Sequence, residues 1–146
     1  MAASFVNVSV ESVHIDAAEN QDVIKCLVIG KKNEHKGKIY ISYNEPDENC
    51  MPGTKTILKL DGESITLTRT GEVEHKFVFQ AGMRTYSDYR TPFGMLRMAV
   101  ETKALEIDVD DNVINIYIEY LLMINDDLQG LTRLRIRVGE DKRVGH

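Results

Sequence analysis

Apolar side chains recur at every second position through most of this chain, the repeat of extended strands rather than of helices. Val6, Val8 and Val10 alternate with Asn7, Ser9 and Glu11, which predicts a first strand from about Ser4 to Ile15. Val23 to Ile29 is a nearly continuous apolar run, broken by Lys25 and followed by Gly30-Lys31-Lys32-Asn33. Lys38 to Tyr43 reads as a third strand, ended by Asn44-Glu45-Pro46-Asp47, and Asn44 to Pro52 is the least regular stretch. Thr56 to Leu60 and Ser64 to Thr68 flank Asp61-Gly62, a pair suited to a tight hairpin. Thr70-Gly71 separates that strand from Val73 to Phe79, and Ala81-Gly82 precedes Arg84 to Thr91. Pro92-Phe93-Gly94 turns into Met95 to Ile107, and Asp110-Asp111-Asn112 leads to the longest apolar strand, Val113 to Ile124. Asn125-Asp126-Asp127 then turns into Leu131 to Val138.

The pattern predicts an all-β fold of nine or ten strands and no helix, in one domain over residues 1–146. Its ordered core runs from about residue 4 to 138, and residues 139–146 form a polar tail ending in His146, native or appended. Short connections make sequential strands pair as a single antiparallel meander. A long meander protects its edges by closing, so the expected architecture is a small barrel of eight to ten strands. A two-sheet sandwich is the competing topology.

Composition narrows the class. Of 146 residues, 42% are apolar and 28% charged, a balance that suits sheets with one buried and one wet face. No apolar run approaches the roughly 18 residues of a membrane-spanning helix. The start, Met1-Ala-Ala-Ser-Phe-Val, has neither the basic nor the apolar region of a secretory leader. Cys26 and Cys50 form no zinc spacing and are too few for a disulfide scaffold, so a cytoplasmic protein with reduced thiols is expected. A net charge of −5 argues against nonspecific nucleic-acid binding.

Gly53 to Leu60 (GTKTILKL), Ile65 to Val73 (ITLTRTGEV), Gly82 to Thr85 (GMRT) and Tyr89 to Leu96 (YRTPFGML) carry a resemblance. Over about Val6 to Val138 the chain resembles the YwiB-like family of small bacterial proteins of unassigned function, most distinctively in Tyr-x-Thr-Pro-Phe-Gly. The resemblance implies a calycin-type barrel, related in shape to lipocalins and streptavidin. It brings no reaction or ligand.

The most informative single residue is Arg69. Ile65 and Leu67 share its face, so the guanidinium continues an apolar surface at one end of the barrel interior. A charge there needs a carboxylate, carbonyls, water or an anionic ligand; the alternatives are an internal salt bridge, a snorkelling side chain or a ligand-facing cation. Arg84, Tyr86, Asp88, Tyr89, Arg90 and Arg97 lie close in sequence and offer donor forks and amphipathic rings, or a hairpin held by charge pairs. Arg133, Arg135 and Arg137 alternate with Leu134, Ile136 and Val138 on an outer face that Lys142 and Arg143 could extend; no aromatic residue interleaves them, as base stacking would require. Asp108-Val109-Asp110-Asp111-Asn112 with Glu119 superficially copies a calcium loop but has Val113 where the turn needs glycine, so a hairpin turn is expected. His14, His35, His75 and His146 are dispersed, and His75 shares a face with Val73, Phe77 and Phe79. No catalytic, metal or cofactor fingerprint occurs, so no metal or cofactor is expected and no catalytic residue is named.

Three readings remain. The first is a non-enzymatic barrel that binds a small amphipathic or anionic ligand against inward residues such as Leu67, Met98, Ile116 and Ile118, with Arg69, Arg84, Tyr89, Arg97 and His75 at the barrel mouth. The second is a protein-interaction module with a packed interior, homodimeric or otherwise, using outward Tyr117, Leu121 and Met123. The third is an enzyme acting on acidic small molecules.

Overall fold

Ten antiparallel strands and no helix account for nearly all the described residues. A computed structural model describes residues 4–45, 53–71, 74–110 and 112–140. The expectations placed on Pro46, Asp47, Cys50, Pro52, Val73, Asp111, Lys142, Arg143 and His146 lie outside the described residues. The strands are β1 (Ser4–Ile15), β2 (Gln21–His35), β3 (Lys38–Asn44), β4 (Thr54–Asp61), β5 (Ser64–Gly71), β6 (His75–Gln80), β7 (Arg84–Thr91), β8 (Gly94–Val109), β9 (Val113–Ile124) and β10 (Asp127–Glu140).

All ten belong to one sheet in the order β6-β5-β4-β3-β2-β1-β10-β9-β8-β7, so every strand except at one seam pairs with its neighbours in the chain or with its opposite terminus. The first and last strands join from Val6↔Glu140 to Ile15↔Leu131. At the seam, Glu74 and Arg90 exchange two backbone hydrogen bonds (3.1 and 2.9 Å). The corner at Gly82 and Met83 engages Thr102 of β8 (2.9 and 3.0 Å), and the Thr85 hydroxyl donates to the Val78 carbonyl (2.8 Å). These few bonds draw β6 and β7 together, and the meander becomes a nearly closed barrel rather than a sandwich. Closure removes most of the edge that an open ten-stranded sheet would expose.

One strand is longer than the sequence suggested. Gly30-Lys31-Lys32-Asn33 is not a break: β2 continues to His35 and reverses at Lys36-Gly37. Both turn residues have positive φ (53° and 78°), the backbone of a two-residue hairpin whose twist matches its strands. Gly30 has a different role. A Cβ there would stand 2.6 Å from the Ser42 carbonyl oxygen and 3.2 Å from the Tyr43 Cβ, so only glycine lets β3 pass this close.

Pairing between β2 and β3 covers only Lys31↔Ser42 to His35↔Lys38. From Gln21 to Gly30, β2 pairs with β1 but with no other strand among the described residues. Among the described residues, pairing between β2 and β3 therefore stops at Lys31.

Inward residues differ between the two ends. Val6, Val8, Ile41, Leu58, Ile65, Phe79, Val100, Ile114, Ile118 and Val138 are fully buried and fill the middle and one end. At the other end β1, β3, β5 and β7 finish and β4, β6 and β10 begin. There the inward positions are Ser12, Tyr43, Glu45, Thr54, Thr56, Arg69, His75, Tyr89 and Thr132. The stretch of β2 before Gly30, paired only with β1 among the described residues, lies at this polar end.

Candidate functional site

Period-two alternation brings Arg69 to this end. Ile65, Leu67 and Arg69 take the inner face of β5, and the Arg69 side chain is 22% exposed. Ile41, Tyr43 and Glu45 continue the inner face of β3 in the same way, and the Glu45 side chain is only 5% exposed. The Arg69 Nε stands 3.5 Å from Glu45 Oε1, which also accepts a hydrogen bond from the Thr56 hydroxyl at 2.6 Å. Arg69 Nη1 donates to His75 Nε2 at 3.1 Å. A guanidinium has no acceptor, so Nε2 carries the lone pair and the imidazole proton is on Nδ1. Nδ1 is buried with no partner among the described residues.

His75 is sandwiched between rings, with Phe77 at 4.6 Å and Tyr89 at 4.8 Å between centroids. Burial, reinforced by the adjacent Arg69 charge, pushes its pKa down to about 4. Burial, with the neighbouring Glu45 charge, pushes the Tyr43 phenol up to about 12. Tyr120 is raised for the same first reason, burial, while its hydrogen bond to Thr132 and the Arg69 charge oppose the shift. Thr132 in turn hydrogen-bonds His14 Nδ1 (2.9 Å), and His14 Nε2 donates to the Gln129 carbonyl (3.2 Å). Burial thus favours the neutral forms of His75, Tyr43 and Tyr120.

Of these groups Arg69, Glu45, Tyr43 and Tyr120 border a cavity of about 280 Å³. Val10 and Ser12 of β1 and Ile24 and Cys26 of β2 form one wall; Tyr43, Glu45, Leu67 and Arg69 form the facing one. Phe77, Tyr120 and Leu134 complete the lining. Larger clefts of about 440 and 520 Å³ lie between outward side chains such as Glu11, Tyr117, Arg135 and Arg137. They are furrows on the outside of the sheet, whereas the smaller cavity is lined by inward residues and reaches the Arg69–Glu45 pair.

The sequence-derived candidates divide into two groups. Arg69, His75 and Tyr89 come together at this end. Arg84 and Arg97 do not. Arg84 lies five residues before the inward Tyr89, an odd separation that sends it outward, where it donates to Glu101 (2.9 and 3.1 Å). Arg97 stands opposite the outward Asp88 in the β7–β8 register and stacks over Tyr86 at 4.8 Å. Of the apolar candidates Leu67 lines the cavity, whereas Met98, Ile116 and Ile118 belong to the packed core.

Other expectations are corrected here. Cys26 is disulfide-bonded, not a reduced thiol. Tyr117, Leu121 and Met123 form no exposed patch: Met123 is 8% exposed, Leu121 is half-buried and Tyr117 lies beneath Arg135 (4.6 Å). Glu119 accepts from Tyr117 (2.8 Å) and pairs with Arg133 (3.4 Å), away from any loop at Asp108. Among the described residues no cluster of His, Cys, Asp or Glu is arranged to hold a metal.

Sequence reasoning missed Glu45, Tyr43 and Tyr120. Glu45 was read as part of a turn, although Ile41-x-Tyr43-x-Glu45 continues the alternation of β3 by one more inward position. That continuation was the available signal. Chemically, the cluster is a set of donors and acceptors already balanced in charge. It contains no nucleophile with an adjacent base, since the only lone pair of His75 faces Arg69.

Residues 8–136 match a family model described as a domain of unknown function (DUF1934). The chain is 30% identical over 131 residues to the protein of Bacillus subtilis (strain 168) called "Uncharacterized beta-barrel protein YwiB", covering 90% of both chains. It also superposes on the crystal structure of the ywiB protein from Bacillus subtilis with a TM-score of 0.83 and 26% identity, covering 96% of this chain and 94% of that one. No helix among the described residues is long and apolar enough to cross a membrane.

Proposed function

The chain belongs to the DUF1934 family of YwiB-like β-barrel proteins, and we propose that it is a non-enzymatic, calycin-like barrel that binds a small amphipathic molecule in the Arg69 cavity. The observation that carries this reading is a buried Arg69–Glu45 pair on the wall of an otherwise largely apolar cavity open to one side. A buried ion pair contributes little net stability compared with well-packed apolar side chains. Its presence beside a cavity therefore favours orientation of a ligand over support of the fold. The volume, about 280 Å³, is just below the usual range for small-molecule sites and suits a metabolite-sized occupant. Leu67, Phe77 and Leu134 receive its apolar part, while the exposed amino groups of Arg69 and the Tyr43 hydroxyl meet its polar end. Because Glu45 already balances Arg69, a neutral polar head competes better here than a free anion. We also place the protein in the cytoplasm on its low cysteine count, which the disulfide at Cys26 opposes. Recovery of Cys26 as a free thiol after rapid alkylation of whole cells supports that placement; a retained disulfide rejects it.

The test is a thermal-shift screen of small amphipathic alcohols, amides and short acyl acids on the full chain. At least one compound is expected to raise the melting temperature, and the Arg69→Met/Glu45→Gln variant, which keeps the charge balance and the fold, is expected to lose the shift. No shift across the panel, or an undiminished shift in the double variant, rejects the pocket.

A further inference from the structure

β2 is apolar on both faces, and the barrel uses only one of them. Its inward residues Ile24 and Cys26 line the cavity, and Val28 packs on the core. Its outward residues Val23, Leu27 and Ile29 are 54%, 73% and 47% exposed, and the outward Phe5 of β1 is 48% exposed. A stretch such as Val23–Ile29, apolar on both faces apart from Lys25, is the pattern of a segment covered on both sides. A contiguous apolar stripe left open on a surface marks a contact site.

Charge at the two ends of the stripe indicates what covers it. The turn and strand start carry Asp16, Glu19 and Asp22. The far end carries Lys31, Lys32 and Lys36 against the single acid Glu34, with Lys31 lying 5.8 Å over the Phe5 ring. In between, Lys25 is neutralised by Glu11 at 3.4 Å. Leu27 lies midway: Glu19 is eight residues before it and His35, beside Lys36, eight after. A two-fold axis at Leu27 therefore sets stripe against stripe and the acidic turn of each copy against the basic turn of the other. Such self-complementarity is the requirement of an isologous interface.

We propose that the outer face of β2 is a homodimer interface, with Leu27 at its centre and Glu19 facing Lys36 of the second copy. Val23 to Lys31 spans about 27 Å at the usual strand rise, so the stripe buries less than the roughly 800 Å² per partner of a standard interface. The dimer is consequently reversible and concentration-dependent.

Sedimentation of the full chain from low micromolar to hundreds of micromolar tests this. A monomer–dimer equilibrium is expected, weakened by raised salt. Leu27→Lys, at an exposed position that leaves the melting temperature of the monomer unchanged, is expected to weaken association about tenfold or more. Lys36→Glu also weakens it, and Glu19→Lys/Lys36→Glu restores it. A wild-type chain monomeric throughout, a Leu27→Lys variant that associates like wild type, or a double reversal that fails to rescue overturns the proposal.

Discussion

Removing the Arg69 guanidinium leaves a carboxylate 5% exposed with the Thr56 hydroxyl as its remaining hydrogen-bond donor. Breaking one half of a buried ion pair typically costs about 3–5 kcal/mol, chiefly from the uncompensated charge left behind. Arg69 is 22% exposed and some water reaches the pair, so the lower end of that range applies to Arg69→Met, about 3 kcal/mol. Glu45→Gln should cost less, about 1–2 kcal/mol, because the amide oxygen still accepts from Thr56 and Arg69 can extend toward solvent. In Arg69→Met/Glu45→Gln no buried charge remains. The residual cost, about 1 kcal/mol, comes from a His75 Nε2 that has lost its donor. The expected coupling between the two sites is therefore about 3–4 kcal/mol. Urea unfolding of the four proteins at neutral pH measures it. In melting temperature, Arg69→Met should lie about 6–12 °C below wild type for a chain of this size. If Arg69→Met costs under about 1 kcal/mol, or the two changes simply add, the pair is not buried as the geometry implies and the argument built on it fails.

Three further outcomes follow from the same coordinates. His75 has a folded pKa of about 4 against an unfolded value of 6.5, so between these pH values the unfolded chain binds more protons and stability rises with pH; below pH 4 the full penalty is about 3 kcal/mol. Urea midpoints measured from pH 4 to 7 should show this slope, and His75→Phe should flatten it; an equal slope in the variant rules out His75 as the source. Gly30→Ala drives a Cβ to 2.6 Å from the Ser42 carbonyl oxygen and should cost about 1–3 kcal/mol in thermal unfolding, whereas a neutral result means β3 can retreat from β2 freely. Arg84→Ala and Arg97→Ala, on the outer face, should leave any ligand-induced thermal shift unchanged; loss of the shift in either would place the binding groups outside the barrel.

Much of this fold was legible because alternation is a local property. The limits of β1, β7 and β9 agree with the sequence reading, and short connections implied the meander. β2 was read too short because Lys31 and Lys32 look like loop residues, yet beyond Gly30 they alternate between solvent and the barrel end without a core to fill. At the polar end, parity alone already separated Arg84 from Tyr89. Arg97 required more: its face follows from the turn at Pro92-Phe93 that sets Asp88 opposite it.

The chain by itself determined strand identity, the closing meander and the inward direction of Arg69, since each depends only on period-two spacing and turn chemistry. Tertiary structure decided what Arg69 meets. Glu45, Thr56 and His75 lie 24, 13 and 6 residues from it in sequence, and three successive hairpin registers place them around one guanidinium. Tertiary structure also decided how closely β2 and β3 approach each other. A Cβ at position 30 would stand 2.6 Å from the Ser42 carbonyl oxygen, a steric limit between two strands that no one-dimensional pattern contains.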